Sequence, residues 1–217
     1  MRVYNFLAAR WAEDDLTKGR IKISRFDDLN DPFELLAAQL RSRDVRRAFD
    51  AVRDHMCAKR GVLCFSRGWH NPLLWSHYGD KHGGICLGFD VPDAHIVRVS
   101  YNSNRLLAAA SKLLGGGPEA EALMSTLLRT KFVDWKYENE VRVFTTLDDV
   151  DAATGHYFKE FGPDMRLCEM ILGPRFSGSV TAVAGLARKN NARISIIQTR
   201  LAFKSFKVVR NRSKIVH

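Results

Sequence analysis

Several features are scarce in this chain, and each absence removes a class of explanation. Of its 217 residues only 6 are proline and 4 are cysteine. Cys57, Cys64, Cys86 and Cys168 form no CxxC pair and no metal-like spacing, which argues against a disulfide framework and reads them as reduced, mostly buried thiols. No apolar run approaches the roughly 20 residues that a membrane-spanning helix needs. The start, Met1-Arg2-Val3-Tyr4, lacks the apolar segment and cleavage site of a secretory leader, so a cytoplasmic protein with no membrane partner is expected. There is no GxGxxG, no GxxxxGKS/T, no HExxH and no GxSxG, so the commonest nucleotide, metalloprotease and serine-hydrolase signatures are missing. Neither an internal repeat nor a low-complexity segment is present.

Acidic residues stop at Glu169. Beyond it Arg175, Arg188, Lys189, Arg193, Arg200, Lys204, Lys207, Arg210, Arg212 and Lys214 supply ten positive charges with no acid among them. The first 169 residues hold 24 basic and 24 acidic residues, so the whole net charge of +10 sits in residues 170–217. A basic segment of this kind is the footprint of a polyanion partner such as nucleic acid, here through residues 175–214. A tail that serves solubility has the same composition.

With 46% hydrophobic and 10% aromatic residues, the chain has an ordinary globular composition and enough apolar matter for one domain with one substantial core. Val3 to Phe6 reads as a strand, Leu7 to Lys18 as a helix ending at Gly19, and Ile21 to Ser24 as a second strand. Asn30-Asp31-Pro32 marks a turn. From Phe33 to about Lys59 the spacing predicts one long helix or two, with a break and new N-cap at Arg41 to Asp44. Strands are expected at 61–66, 83–90, 97–101, 170–173 and 194–198, with one more within 201–209. Helices are expected at 71–78, entered through Pro72, and at 178–191, and a flexible break at Gly115-Gly116-Gly117-Pro118. The elements interleave without a regular βαβ period, which favours an α+β class over a doubly wound sheet.

The most charged candidate strand is Trp135 to Phe144. Alternation would place Glu138, Glu140 and Arg142 on one face and Tyr137, Val141 and Val143 on the other. Two carboxylates side by side suit acid–base or cation-stabilising chemistry. A polar sheet edge facing water accounts for the same pattern.

Five motifs in order carry a resemblance. They are Phe26-Asp-Asp-Leu-Asn-Asp-Pro-Phe-Glu34, Cys64-Phe65-Ser66, Leu74-Trp75-Ser76-His77-Tyr78, Gly83 to Asp90, and Trp135-x-Tyr137-Glu138-x-Glu140-x-Arg142. Over Tyr4 to about Gly173 the chain resembles the bacterial domain-of-unknown-function family twenty-nine seventy-one, to which no activity attaches. More distantly, the order of elements is similar to ADP-ribosyltransferases of the DarT type. That resemblance implies an ADP-ribosyltransferase-like single domain of mixed sheets and flanking helices, with NAD as substrate and a nucleic acid or protein as acceptor. It also implies a toxin or phage-defence role, with an antitoxin or immunity partner.

The same resemblance implies roles for individual residues. Glu140 would stabilise the positive charge that develops on ribose as the nicotinamide bond breaks, and Glu138 would orient or deprotonate the acceptor. Tyr4 and Tyr78 would stack on nicotinamide, Ser66 would bond the ribose, and Arg25, Asn30 and Asp31 would contact the diphosphate or adenosine. The chain departs from the superfamily where His or Arg is usual on the first strand: here the segment is Val3-Tyr4-Asn5-Phe6. Two other readings stay open. One is a non-catalytic nucleic-acid-binding protein; the other is a metal-dependent nuclease built on His77, Asp80, His82 and the two glutamates, although His-x4-His is not a usual ligand pair and no metal is expected.

Overall fold

The computed structural model describes residues 1–31, 33, 38, 39, 42–106 and 117–213. The expected opening is present as β1 (Arg2–Leu7), α1 (Ala9–Lys18) and β2 (Arg20–Arg25). Gly19 ends α1 at φ 65° and returns its N–H to the Asp15 carbonyl, a left-handed cap that a residue without Cβ adopts freely. Next comes α2 (Arg43–Lys59), entered where Ser42 Oγ accepts the Val45 N–H at 3.1 Å, so the new N-cap lies where the sequence expects it. Most of the stretch from Phe33 to Arg41, expected as helix, lies outside the described residues. The chain continues through β3 (Arg60–Ser66), α3 (Pro72–His77) and β4 (Ile85–Asp90). Asn71 caps α3 by accepting the Leu73 N–H, with Pro72 in the first turn as expected.

After β5 (Val97–Arg98) the expected strand breaks at Val99. The next piece, β6 (Ser100–Asn102), leaves the main sheet to pair in parallel with β7 (Thr130–Phe132), which follows α4 (Gly117–Leu128). Gly117 opens α4, while Gly115 and Gly116 lie outside the described residues. The remaining elements are β8 (Glu140–Thr146), β9 (Tyr157–Glu160), β10 (Arg166–Leu172), α5 (Val180–Asn190), β11 (Ser195–Leu201) and β12 (Val208–Arg210). The strand expected over Trp135 to Phe144 is corrected. Val133–Glu138 is a 3₁₀ turn closed by Asn139 at φ 48°, and extended structure begins only at Glu140. Asparagine enters the left-handed region more readily than other non-glycine residues, so it can reverse the chain there. Of the strand expected within 201–209, Leu201 ends β11 and Val208 begins β12, and residues 202–207 form the loop between them.

Ten strands form one mixed sheet in a single-domain α+β fold. Its path runs β12-β11-β10-β4-β1-β3-β2-β9, with β8 pairing β3 and β5. Among the described residues only β10 and β11 are parallel within it, as suits the crossover through α5. Alternation sorts the core onto two faces: Val3, Ile85, Leu87, Phe89 and Leu172 meet α1 and α5, whereas Phe6, Cys86, Ile171 and Ile197 meet Leu74 and Trp75 of α3. Of the four cysteines only Cys86 is fully buried, and none forms a disulfide.

The feature that positions the site is the forked pairing of β3. Along one side it meets β8 from Arg60↔Thr146 to Ser66↔Glu140. The opposite side is shared: β1 reaches it through Tyr4↔Ser66, and β2 through Ser24↔Val62 and Arg25↔Gly61. Between those contacts the Asn5 side-chain amide, not a strand, donates to the Cys64 carbonyl at 3.2 Å.

One buried acid in the opening unit supplies a test of the packing. Burial pushes the Asp15 carboxyl from 3.8 up to about 7; Asp14 adds to the rise, and Arg20 and Lys18 oppose it. Between these values the folded chain holds a proton that the unfolded chain has lost, so stability falls as pH rises across that window. Asp15→Asn is expected to stabilise the protein more at about pH 8 than at about pH 4, read from urea midpoints. A stability difference independent of pH contradicts this.

Candidate active site

The fork between β1 and β2 opens a cavity of about 320 Å³. Tyr4, Asn5 and Phe6 of β1, Ile21, Lys22 and Ser24 of β2, and Cys64 to Ser66 of β3 line it, together with Asn30, Leu74 and Tyr78. Lys131, Glu138 and Glu140 complete the wall. Six of the eight residues singled out from sequence, Tyr4, Asn30, Ser66, Tyr78, Glu138 and Glu140, therefore meet at one place. The other two do not line it. Arg25 is exposed and forked onto Asp27 at 3.0 Å, and buried Asp31 accepts the Phe33 N–H at 2.9 Å, the work of a turn residue.

Glu138 and Glu140 are 5% and 6% exposed, so neither faces open water. They do not converge through strand alternation, since only Glu140 is in the strand. Lys131 joins them: its Nζ lies 2.6 Å from Glu138 Oε2 and 3.3 Å from Glu140 Oε2, and 4.8 Å from the centre of the Trp135 ring. Arg142 forks onto Glu140, with Nε 2.7 Å from Oε1 and a terminal nitrogen 3.2 Å from Oε2. That fork is the i, i+2 relation of β8, which places Glu140 and Arg142 on one face as expected, but buried. The other arm of Arg142 donates to the Leu128 carbonyl at 2.8 Å.

From the opposite side the Tyr78 hydroxyl donates to Glu138 Oε1 and accepts from the Asn30 amide at 2.8 Å. Asn30, Tyr78, Glu138, Lys131, Glu140 and Arg142 thus form one continuous hydrogen-bonded chain. The environments of the two carboxylates pull them apart. Burial raises the Glu138 carboxyl above the usual range, and this outweighs Lys131 and Tyr78. Burial also acts on Glu140, but the Arg142 fork and Lys131 overcome it and hold that carboxyl below the usual range. Two titratable groups pushed in opposite directions within one cavity are the arrangement that divides acid–base from electrostatic roles.

The remaining residues hold this arrangement in place. Ser66 Oγ lies 2.7 Å from the Glu138 carbonyl and 2.9 Å from that of Gly68, so its single proton fixes the backbone that carries Glu138. The Tyr4 hydroxyl donates to Glu169 at 3.1 Å, and its ring packs over Gly88, where a Cβ would come within 3.1 Å of it. His77 is exposed, its ring 5.9 Å from that of Tyr137. Among the described residues no three His, Cys, Asp or Glu side chains converge in a metal-binding group.

Two participants were missed from sequence. Lys131 sits in a three-residue strand, too short for any periodicity to flag it. Asn5 carried a visible signal, a lone amide between Tyr4 and Phe6. With its Nδ2 committed to Cys64, its Oδ1 is buried without a partner. An orphaned acceptor in a cavity wall is the mark expected of a ligand contact.

No family model matches the chain, and neither a curated protein nor a solved structure matches it.

Lys131 is the test of the cluster. Replacing it by Met leaves Glu138 buried without its cation, and a loss of about 3 to 5 kcal/mol is expected in denaturant unfolding. Glu138→Gln in the Lys131→Met background is expected to recover part of that loss. A cost below about 1 kcal/mol would place the pair in the class of weak exposed ion pairs.

Proposed function

We propose that this protein cleaves the nicotinamide–ribose bond of NAD and transfers ADP-ribose to a nucleic acid or protein acceptor. The observation that carries the reading is the pair of carboxylates with opposite proton affinities on the wall of the fork cavity. Breaking an N-glycosidic bond of this kind leaves positive charge on the sugar, which a fixed, ionised carboxylate stabilises. Glu140 suits that role because the Arg142 fork keeps it ionised and immobile. Glu138, with its raised proton affinity, suits proton transfer to and from the acceptor, and Tyr78 and Lys131 orient it.

The cavity also suits the group to be expelled. Asn5 Oδ1 lacks a donor, and a carboxamide N–H is a neutral donor of the right kind for it. Tyr4 and Tyr78 offer rings in the same wall. Ser66, Arg25 and Asp31 take no direct part in this assignment, because each is engaged within the protein. The order of elements, beginning with the strand, helix, strand opening, supports the same reading by resemblance, and with it a toxin or phage-defence role.

The test is nicotinamide release from NAD, with DNA, RNA or cell lysate supplied as acceptor. Glu140→Gln is expected to abolish release while circular dichroism stays unchanged. Glu138→Gln is expected to slow transfer by about a hundredfold or more. If the wild-type protein releases no nicotinamide under any of these conditions, the enzymatic reading fails. Salt-sensitive nucleic-acid binding unaffected by Glu140→Gln would then favour a non-catalytic binding protein.

A further inference from the structure

The loop between β11 and β12 presents two phenylalanines to solvent at its tip. Phe203 is 89% and Phe206 98% exposed, the two most exposed large apolar side chains among the described residues. They alternate with cations in Phe203-Lys204-Ser205-Phe206-Lys207, and Arg200 enters the loop with its guanidinium 4.3 Å from the centre of the Phe203 ring. The loop is held in shape. Ala202 donates to the Lys207 carbonyl and Lys207 to the Ser205 carbonyl, both at 2.9 Å. At its base Val208 exchanges two bonds with His70: its N–H donates to the His70 carbonyl at 2.9 Å, and its carbonyl lies 2.8 Å from His70 Nδ1. Apolar side chains exposed in this way on a fixed support indicate a surface that meets something else.

We propose that this loop docks the protein on an anionic phospholipid surface, with Phe203 and Phe206 entering the interface and Arg200, Lys204 and Lys207 meeting the headgroups. Peripheral attachment of this kind needs an apolar element and a basic one together, and the loop supplies both within eight residues. No acidic residue occurs after Glu169 to oppose the headgroup charge. Three other features favour lipid over the alternatives. Phenylalanine carries no polar atom to bond a partner. A base-stacking site backs one face of its ring with protein inside a groove, whereas Phe206 stands almost wholly free at a projecting tip. A symmetric contact between two copies of the loop would bring Lys204 and Lys207 against their own counterparts. Among the described residues no helix is long and apolar enough to cross a membrane. The loop would rest on a bilayer without spanning it. The proposal does not rest on the NAD reading.

The experiment is cosedimentation of the full chain with phosphatidylcholine vesicles, with and without phosphatidylserine. Binding is expected only where phosphatidylserine is present. Phe203→Ala with Phe206→Ala is expected to weaken it about tenfold or more, and Lys204→Gln with Lys207→Gln to weaken it and reduce its salt dependence. Equal binding to neutral vesicles, no vesicle binding, or binding indifferent to the two phenylalanines would overturn the proposal. So would a double phenylalanine variant whose only loss is of single-stranded oligonucleotide binding or of self-association.

Discussion

The pairing of β3 is the constraint on which the site depends. A strand can hydrogen-bond a neighbour on each side, and β8 occupies one side of β3 along its whole length. On the other side β1 and β2 diverge, one held at Ser66 and the other at Gly61 and Val62. The divergence leaves backbone polar groups that must be satisfied in some other way. Asn5 satisfies one of them and in doing so leaves its own Oδ1 buried without a partner. The split therefore creates the cavity and its unpartnered acceptor together. Packing of α1 and α5 on one face and α3 on the other holds the strands in this arrangement.

The electrostatics of the cavity follow from burial. A lone buried carboxylate is costly, and two side by side are more so. Here two carboxylates and two cations are buried together, and the cations are placed unequally. Arg142 grips Glu140 with a two-point fork, whereas Lys131 divides its ammonium between Glu140 and Glu138. A guanidinium fork matches a carboxylate in plane and spacing, and an ammonium does not. The difference in partners becomes a difference in proton affinity between the two acids. Replacing this cluster by apolar side chains of similar volume is often neutral or favourable to stability elsewhere.

Much of the scaffold was legible from local patterns. The opening strand, helix and strand, the N-cap within Arg41 to Asp44, the stop at Gly19 and the entry of α3 through Pro72 all follow from spacing and cap chemistry, which act within a few residues. The candidate cavity was legible in its membership, since most of the residues named from sequence line it. It was not legible in its geometry. The sequence suggested a strand through Glu138, whereas Asn139 turns the chain there, and a left-handed asparagine leaves no periodic trace. Lys131 was invisible because its importance arises only when the fold brings its ammonium against Glu138 and Glu140. The roles expected of Arg25 and Asp31 gave way to local partners, Asp27 and the Phe33 N–H, that outcompete a distant ligand.

The central claim is that Glu138 and Glu140 share a cation yet hold their protons with opposite strength. Carbon-13 labelling of glutamate carboxyls, with assignment by Glu138→Gln and Glu140→Gln and titration by NMR, reads this directly. The account requires the Glu138 resonance to titrate above the ordinary glutamate range near 4.3 and the Glu140 resonance below it. Two resonances moving together within that range would contradict it, and the division of roles in the cavity would fall with it.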